Sequence, residues 1–333
     1  MKEYKKIAIV RLSALGDIIN SAVVLQFIHK KFPNAQIDWI TEEVFSPLLK
    51  SHHLIHNVHI INLKKIKKEK NFLLLKKNIS YLRSLGEFDI VIDMQGLLKS
   101  AIVSRFISKN THGFDKESSR EGLSSLFYKT TSKIAYEESI VKRNCFLSSD
   151  ALGFELSDEM ILNKKPIFEI KKIDFIDASK INIAFIIGAS WLSKKYPKEK
   201  IIQLCNELKE NSIIVWGDED EKKDAEFICK HSSYASIAPK LPLIELLSLI
   251  SSVNLVIGND TGPTHMAWAQ NIASITLFGP TTSRMIYETP KNIGIKSSSK
   301  VDILKINKND FSIQDIEVKE IVSKAKELLN YEI

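Results

Sequence analysis

The chain has 333 residues, of which 44% are apolar and 26% charged, and its 47 Lys+Arg against 40 Asp+Glu leave a net charge of +7. At about 100–200 residues per domain this length predicts two globular domains. No apolar run reaches the roughly 20 residues of a membrane span, and the first apolar run is too short for a signal peptide, so a cytoplasmic location is expected.

Along the N-terminal half, strands are predicted at 7–10 (IAIV), 37–41 (IDWIT), 58–62 (VHIIN) and 89–93 (DIVID). Runs apolar on both faces suit buried parallel strands. Between them, 18–31 and 71–85 carry apolar residues at helical spacing. The loop RLSALGDIINS at 11–21 follows the first strand, with Ser13 and Gly16 in a tight turn and Asp17 at the start of a helix. Asp17 reads either as a helix cap or, at a strand's carboxyl end, as a general base.

Lys64, Lys65, Lys67, Lys68, Lys70, Lys76 and Lys77 surround only Glu69, so six of the seven excess charges sit between residues 64 and 77. A neutral body with one basic segment predicts a local docking surface for an anionic partner, against the alternative of a solvated helix face. Next come IDMQGLLKSA at 92–101 and the loop region 111–128. Gln95, Lys99, Arg120 and, further on, Arg143 are candidates for contacts with an anionic substrate.

Residues 163–180 mix Lys and Asp without a period and read as a linker. The strand pattern then restarts at 181–190, 212–217, 253–258 and 273–279, and an amphipathic helix at 315–329 closes the chain. Two successive βα arrays predict an α/β protein with two open parallel sheets facing a central cleft, binding ligands at the strands' carboxyl ends. In the second half GASWLSKKYP at 188–197 places Lys194 and Lys195 either to neutralise a diphosphate leaving group or as solvated loop lysines, and among the carboxylates of WGDEDEKKDAE at 216–226, otherwise solvent-facing helix charges, Glu221 is a candidate to accept from a ribose. The turn in GNDTGPTHMAWA at 258–269 concentrates Asp260, Thr261, Gly262, Pro263, Thr264 and His265 at a helix start, a phosphate cradle built from backbone amides.

That cradle matters because the twelve glycines form no GxGxxG and no P-loop. The three cysteines, Cys145, Cys205 and Cys229, form no CxxC and no cluster with the eight histidines, so free thiols and no structural metal are expected.

RLSALGD at 11–17, IDMQGLLKSA at 92–101, HGFDKESSRE and SLFY within 112–128, and NDTGPTHMAWA with LFGPT within 259–281 together resemble the lipopolysaccharide heptosyltransferases of glycosyltransferase family 9, most closely those that add the first inner-core heptose. The resemblance runs in order through both halves. It implies a GT-B fold of two Rossmann-like domains, 1–170 binding the acceptor and 171–333 the donor, with the last helix (about 315–330) able to pack back on the first domain. It implies an inverting transfer of L-glycero-D-manno-heptose from ADP-heptose, a substrate and not a cofactor, to the Kdo of Kdo-lipid A.

By the same resemblance Asp17 is the base, Lys194 meets the diphosphate, and Asp260, Thr261, Gly262 and His265 hold the donor, with Pro263 and Thr264 in the same turn. Pro263 stands where a larger apolar residue such as Leu is common. Glu221 takes the ribose. Arg120 and Arg143 meet the acceptor's carboxylates and phosphates, in an acceptor set completed by Ser13, Lys64, Gln95 and Lys99. The expected setting is peripheral, on the inner face of the cytoplasmic membrane, with no nucleic acid as partner and no metal. Two rival readings are a heptosyltransferase that adds the second heptose and a non-catalytic basic protein of the membrane surface.

Overall fold

The computed structural model describes residues 3–330. Residues 1, 2 and 331–333 of the two expected domains lie outside the described residues. The chain divides into two compact units between Glu169 and Ile170, inside the stretch read as the linker.

The first unit runs β1 (Lys6–Val10), α1 (Leu15–Ala22), α2 (Val24–Lys31), β2 (Gln36–Glu42), α3 (Ser46–Lys50), β3 (Asn57–Ile61), α4 (Leu63–Glu69), α5 (Phe72–Arg83), β4 (Ile90–Asp93), α6 (Leu98–Ile107), β5 (Thr111–Phe114), β6 (Thr130–Ser132), α7 (Ile140–Leu152) and α8 (Asp158–Leu162). The second runs β7 (Asn182–Ile186), α9 (Lys198–Leu208), β8 (Asn211–Val215), α10 (Glu219–His231), β9 (Ala235–Ile237), α11 (Leu243–Ile250), β10 (Leu255–Asn259), α12 (Gly262–Ala269), β11 (Ala273–Phe278), β12 (Asn292–Lys296) and α13 (Val318–Asn330).

Each unit builds a six-stranded sheet, ordered β3-β2-β1-β4-β5-β6 and β12-β11-β10-β7-β8-β9. Every pairing is parallel. Counted from its own first strand, each sheet has the order 3-2-1-4-5-6 of a doubly wound fold. In such sheets the connections diverge where the order reverses, leaving a crevice at the carboxyl ends. Here the two reversals fall between β1 and β4 and between β7 and β10, and they locate one candidate site in each unit.

The central strands β4, β7, β10 and β11 are buried along their whole length, which explains their predominantly apolar sequences. Outer strands β6 (TTS) and β9 (ASI) are short and partly exposed, so neither carries an apolar run. Apolar runs accordingly mark only four strands per half, and residues 111–114, expected as loop, form β5. The helix expected over 18–31 begins at Leu15 and is interrupted at Val23. There the Ser21 hydroxyl donates to the Asp17 carbonyl (2.7 Å), a side-chain bond that competes with the helical ladder.

Helix α13 buries Val318, Ile321, Val322, Ala325, Leu328 and Leu329, a stripe at helical spacing. These residues join Ile183, Phe185, Ile257 and Ile275 in the core of the second unit. The apolar face that the sequence reading allowed to pack on the first domain is therefore used within its own unit. Cys145 and Cys205 are buried free thiols, and Cys229 is partly exposed.

Candidate active site

In the second unit the loop after β7 and the turn after β10 meet at the switch point. Asp260 leaves β10 buried, and its carboxylate is shared: Oδ2 lies 2.9 Å from Lys194 Nζ and Oδ1 lies 3.0 Å from His265 Nε2. Burial opposes the charged form of Asp260, but the Lys194 ammonium and the His265 hydrogen bond outweigh it and hold the carboxyl well below the usual range. The sequence sets this geometry locally. His265 is five residues after Asp260, one turn into α12, and Lys194 ends a short 3-10 turn at Leu192–Lys194. That turn is pinned by Asn259, whose side-chain amide donates to the carbonyls of Ile187 (3.0 Å) and Gly188 (3.2 Å) while its oxygen accepts from the Tyr196 N–H (3.0 Å).

Thr261 is the N-cap residue of α12, Pro263 sits in its first turn, and the Thr264 hydroxyl donates to the Asn259 carbonyl (2.7 Å). No side chain caps α12, so the N–H groups of Gly262 and Thr264 in its first turn are offered to an anion, with the helix dipole favouring negative charge. On the neighbouring strand, Glu221 lies just past the end of β8, in the first turn of α10. Its Oε2 accepts from the Gly217 N–H (2.8 Å), and Lys195 Nζ lies 3.7 Å from its Oε1. A Cβ on Gly188 would stand 2.6 Å from Glu221 Oε2, so only glycine lets the carboxylate approach this loop.

In the first unit the switch point carries Asp17. Ala14 occupies the N-cap position of α1 and offers no cap of its own, and Asp17, three residues on, reaches back so that its Oδ2 accepts from the Ala14 N–H (3.1 Å). Its Oδ1 lies 2.8 Å from Arg11 Nη2. Arg11 is buried at the end of β1 and also donates to the Met94 carbonyl after β4, so one guanidinium ties both sides of the switch point to the carboxylate. The same two loops are joined by Gln95, whose side-chain oxygen accepts from the Leu12 N–H (2.9 Å). Beneath them Asp93 is fully buried, accepting from the amides of Gln95 (2.8 Å) and Gly96 (3.3 Å) and from the Tyr128 hydroxyl (2.7 Å). Burial pushes its carboxyl above the usual range against those bonds.

The profile of glycosyltransferase family 9 (heptosyltransferase) matches residues 79–317. A lipopolysaccharide heptosyltransferase 1 of Campylobacter coli is 38% identical, over 98% of this chain and 100% of its own length. The chain belongs to glycosyltransferase family 9. The lipopolysaccharide heptosyltransferase 1 of Escherichia coli K12 is 25% identical over 91% of this chain and 96% of its own. Among solved structures, E. coli heptosyltransferase WaaC with ADP superposes with a TM-score of 0.80 at 22% identity, covering 97% of this chain and 99% of that one. The same enzyme with ADP-2-deoxy-2-fluoro heptose gives 0.78. The two doubly wound units are thus the GT-B fold, and the protein is a glycosyltransferase.

Of the residues expected from sequence, the fold brings Lys194, Asp260 and His265 into direct contact, with Thr261, Gly262, Pro263 and Thr264 in the same turn. Glu221 stands one strand away, linked to that loop through Lys195. Ser13, Asp17 and Gln95 share the switch point of the first unit. Lys99, on the first turn of α6, and Lys64, on α4, are exposed, and both bear electrostatically on Glu42. Arg120 is exposed in the connection after β5.

Arg143 corrects the sequence reading. It is 2% exposed, it donates to the carbonyls of Ile134 (3.1 Å), Ala135 (2.6 Å) and Ser118, and its guanidinium stacks on Phe114 and Tyr136. Such an arginine braces loops and is not offered to an acceptor. The alternative of Asp17 as the N-cap is also corrected, since it acts from the third helical position.

Sequence reasoning missed Arg11, Asn259, Glu42 and Tyr128. Arg11 opens RLSALGD and Asn259 opens NDTGPTHMAWA, but a polar residue at a strand end does not reveal in sequence which loop it will reach. Glu42 ends β2 at the same rim, buried, with its carboxyl raised by burial and accepting from the Lys64 N–H (3.2 Å). An acidic residue closing the apolar run IDWITE was its only signal.

Proposed function

We propose that this glycosyltransferase moves L-glycero-D-manno-heptose from ADP-heptose to the Kdo of Kdo-lipid A with inversion, adding the first heptose of the lipopolysaccharide inner core. The observation that carries the choice of acceptor is the 38% identity to a lipopolysaccharide heptosyltransferase 1 along the whole chain. The first unit binds the acceptor and the second the donor.

Asp17 takes the proton from the attacking Kdo hydroxyl while that oxygen forms its bond to the anomeric carbon, on the face opposite the departing diphosphate. Arg11 and the Ala14 amide aim the carboxylate, one holding each of its oxygens. As the bond to the diphosphate breaks, its electron pair leaves with ADP. The growing charge is met by Lys194 and by the first-turn amides of α12, preorganised donors that need no rearrangement. Asp260 holds Lys194 in position, and His265 fixes Asp260.

Glu221 accepts from the adenosine ribose, the role an acidic residue takes beyond the second strand of such a sheet. Ser13, Lys64, Gln95, Lys99 and Arg120 serve the acceptor. Its lipid portion places the enzyme peripherally on the inner face of the cytoplasmic membrane. The test is incubation with ADP-heptose and Kdo-lipid A, read by mass for the gain of one heptose. Activity confined to the mono-heptosylated acceptor would reassign the protein to the second transfer.

A further inference from the structure

Segment 63–83 leaves β3 at the carboxyl rim of the first sheet and folds as the short helices α4 and α5, turning at Lys70, whose φ is +50°. This pair gives the core only Leu82, with Leu63 partly buried against it. No residue of α4 is buried, and α5 buries only Asn78 and Leu82. At the turn Phe72 is 75% and Leu73 66% exposed, two of the most exposed large apolar side chains of the protein. All seven lysines of the segment are exposed as well, with Lys70 at the turn and Lys67, Lys68, Lys76 and Lys77 within a few residues of it.

Scattered exposed apolar residues need no explanation, but an adjacent Phe–Leu pair at the tip of a helical hairpin, ringed by lysines, is the composition of an interfacial membrane element. Charge decides what covers it. A second copy of the chain would set lysines against lysines, whereas an anionic bilayer offers negative headgroups to the lysines and an acyl boundary to the apolar pair. The hairpin is also tied to the catalytic rim, because the Lys64 N–H is bonded to Glu42 at the end of β2 and Lys64 Nζ lies 5.6 Å from the Phe45 ring centroid. The connection that leaves β5 at the same rim carries another exposed pair, Leu123 and Leu126.

We infer that the α4–α5 hairpin is a membrane seat: Phe72 and Leu73 enter the headgroup–acyl boundary of an anionic bilayer and the surrounding lysines lie over its headgroups. The inference rests on the proposed function in that a lipid-linked acceptor gives the seat its purpose. Seating the hairpin brings the rim that carries Asp17 to the membrane, so the acceptor sugar is reached without extracting its lipid.

The test uses the full chain with vesicles of phosphatidylglycerol and phosphatidylcholine, or of phosphatidylcholine alone, without donor or acceptor, so its outcome is independent of whether heptose transfer occurs. Anionic vesicles should bind at least tenfold more tightly than neutral ones. The double variant Phe72→Ser/Leu73→Ser should lose at least tenfold of that binding while keeping its salt dependence. The variant with Lys67, Lys68, Lys76 and Lys77 all changed to Gln should lose the salt dependence. In Phe72→Trp the tryptophan emission, compared with that of the parent protein, should shift to the blue on anionic vesicles and be quenched by brominated acyl chains. Equal vesicle binding by the Ser double variant, or a Phe72→Trp emission that does not move, overturns the proposal. So does displacement of the protein from vesicles by a DNA oligonucleotide with Phe72 and Leu73 dispensable, which would mark a general polyanion site. A dimer that dissociates in the Ser double variant overturns it in favour of self-association.

Discussion

Asp260→Asn tests the charge arrangement of the donor site. Lys194 and Asp260 have side chains only 8% and 5% exposed, at 2.9 Å. Removing one partner of such a pair leaves the other charge buried and uncompensated, at a cost of about 3–5 kcal/mol. Asparagine retains an acceptor oxygen, so the loss at neutral pH should lie near the lower end, about 3 kcal/mol. Urea unfolding followed by tryptophan emission suits the measurement, because Trp191, Trp216 and Trp268 all lie in the second unit and only Trp39 in the first.

The pH dependence has a definite sign. Asp260 has a depressed pKa in the folded protein, so its contribution is fully present above the unfolded value of about 3.9 and is lost as the pH falls below it toward the folded value. Asparagine does not titrate, so the stability gap between parent and Asp260→Asn should narrow below about pH 4. Combining Lys194→Met with Asp260→Asn should recover at least half of the loss, since the orphaned charge is gone. Both variants should bind ADP more weakly. A gap under about 1 kcal/mol at pH 7, or a double variant as unstable as Asp260→Asn alone, would refute charge pairing as what holds this turn together.

Three further outcomes are expected. Arg11→Met removes the 2.8 Å ion pair to Asp17, and losing a hydrogen bond to a charged group, about 1.5–3 kcal/mol, should lower kcat about 10–150-fold with the donor KM unchanged. Arg11→Lys should restore part of that rate, which a purely structural arginine would not require. Gly188→Ala places a Cβ 2.6 Å from Glu221 Oε2 and should raise the KM for ADP-heptose at similar kcat, and an unchanged KM would separate Glu221 from the donor. Tyr128→Phe takes the hydroxyl from buried Asp93 and should reduce stability in urea by about 1 kcal/mol, the net contribution of one hydrogen bond to a carboxyl that keeps its other partners.

The central strands and the motif loops were legible because both obey local rules. Strands buried on both faces must be continuously apolar, and a loop leaving such a strand must lie at the carboxyl rim. The strands β5, β6, β9 and β12, at or next to a sheet edge, escaped because their pairing comes from a neighbour, not from their own composition. In the site, the turn around Asp260 was readable since Asp260, Thr261, Thr264 and His265 are brought together within one helical turn. Its partner Lys194 was ambiguous in spacing, and the family resemblance, not the local sequence, singled it out.

Contacts between distant segments were not readable. Arg11 to Met94, Tyr128 to Asp93 and Asn259 to Gly188 depend on which strands lie side by side. Arg143 failed for the same reason: an arginine looks available in sequence, and only the fold shows three carbonyls and two rings enclosing it.

The most direct test of the catalytic proposal is the turnover of Asp17→Asn with ADP-heptose and Kdo-lipid A, measured alongside its affinity for ADP-heptose. Asparagine can keep hydrogen bonds at this position but cannot accept the proton. General-base catalysis is worth about 10²–10⁴-fold, so kcat should fall by that factor while donor affinity stays within about twofold of the parent. Turnover within a few fold of the parent would show that the Kdo hydroxyl loses its proton to another group, and would remove Asp17 from the mechanism.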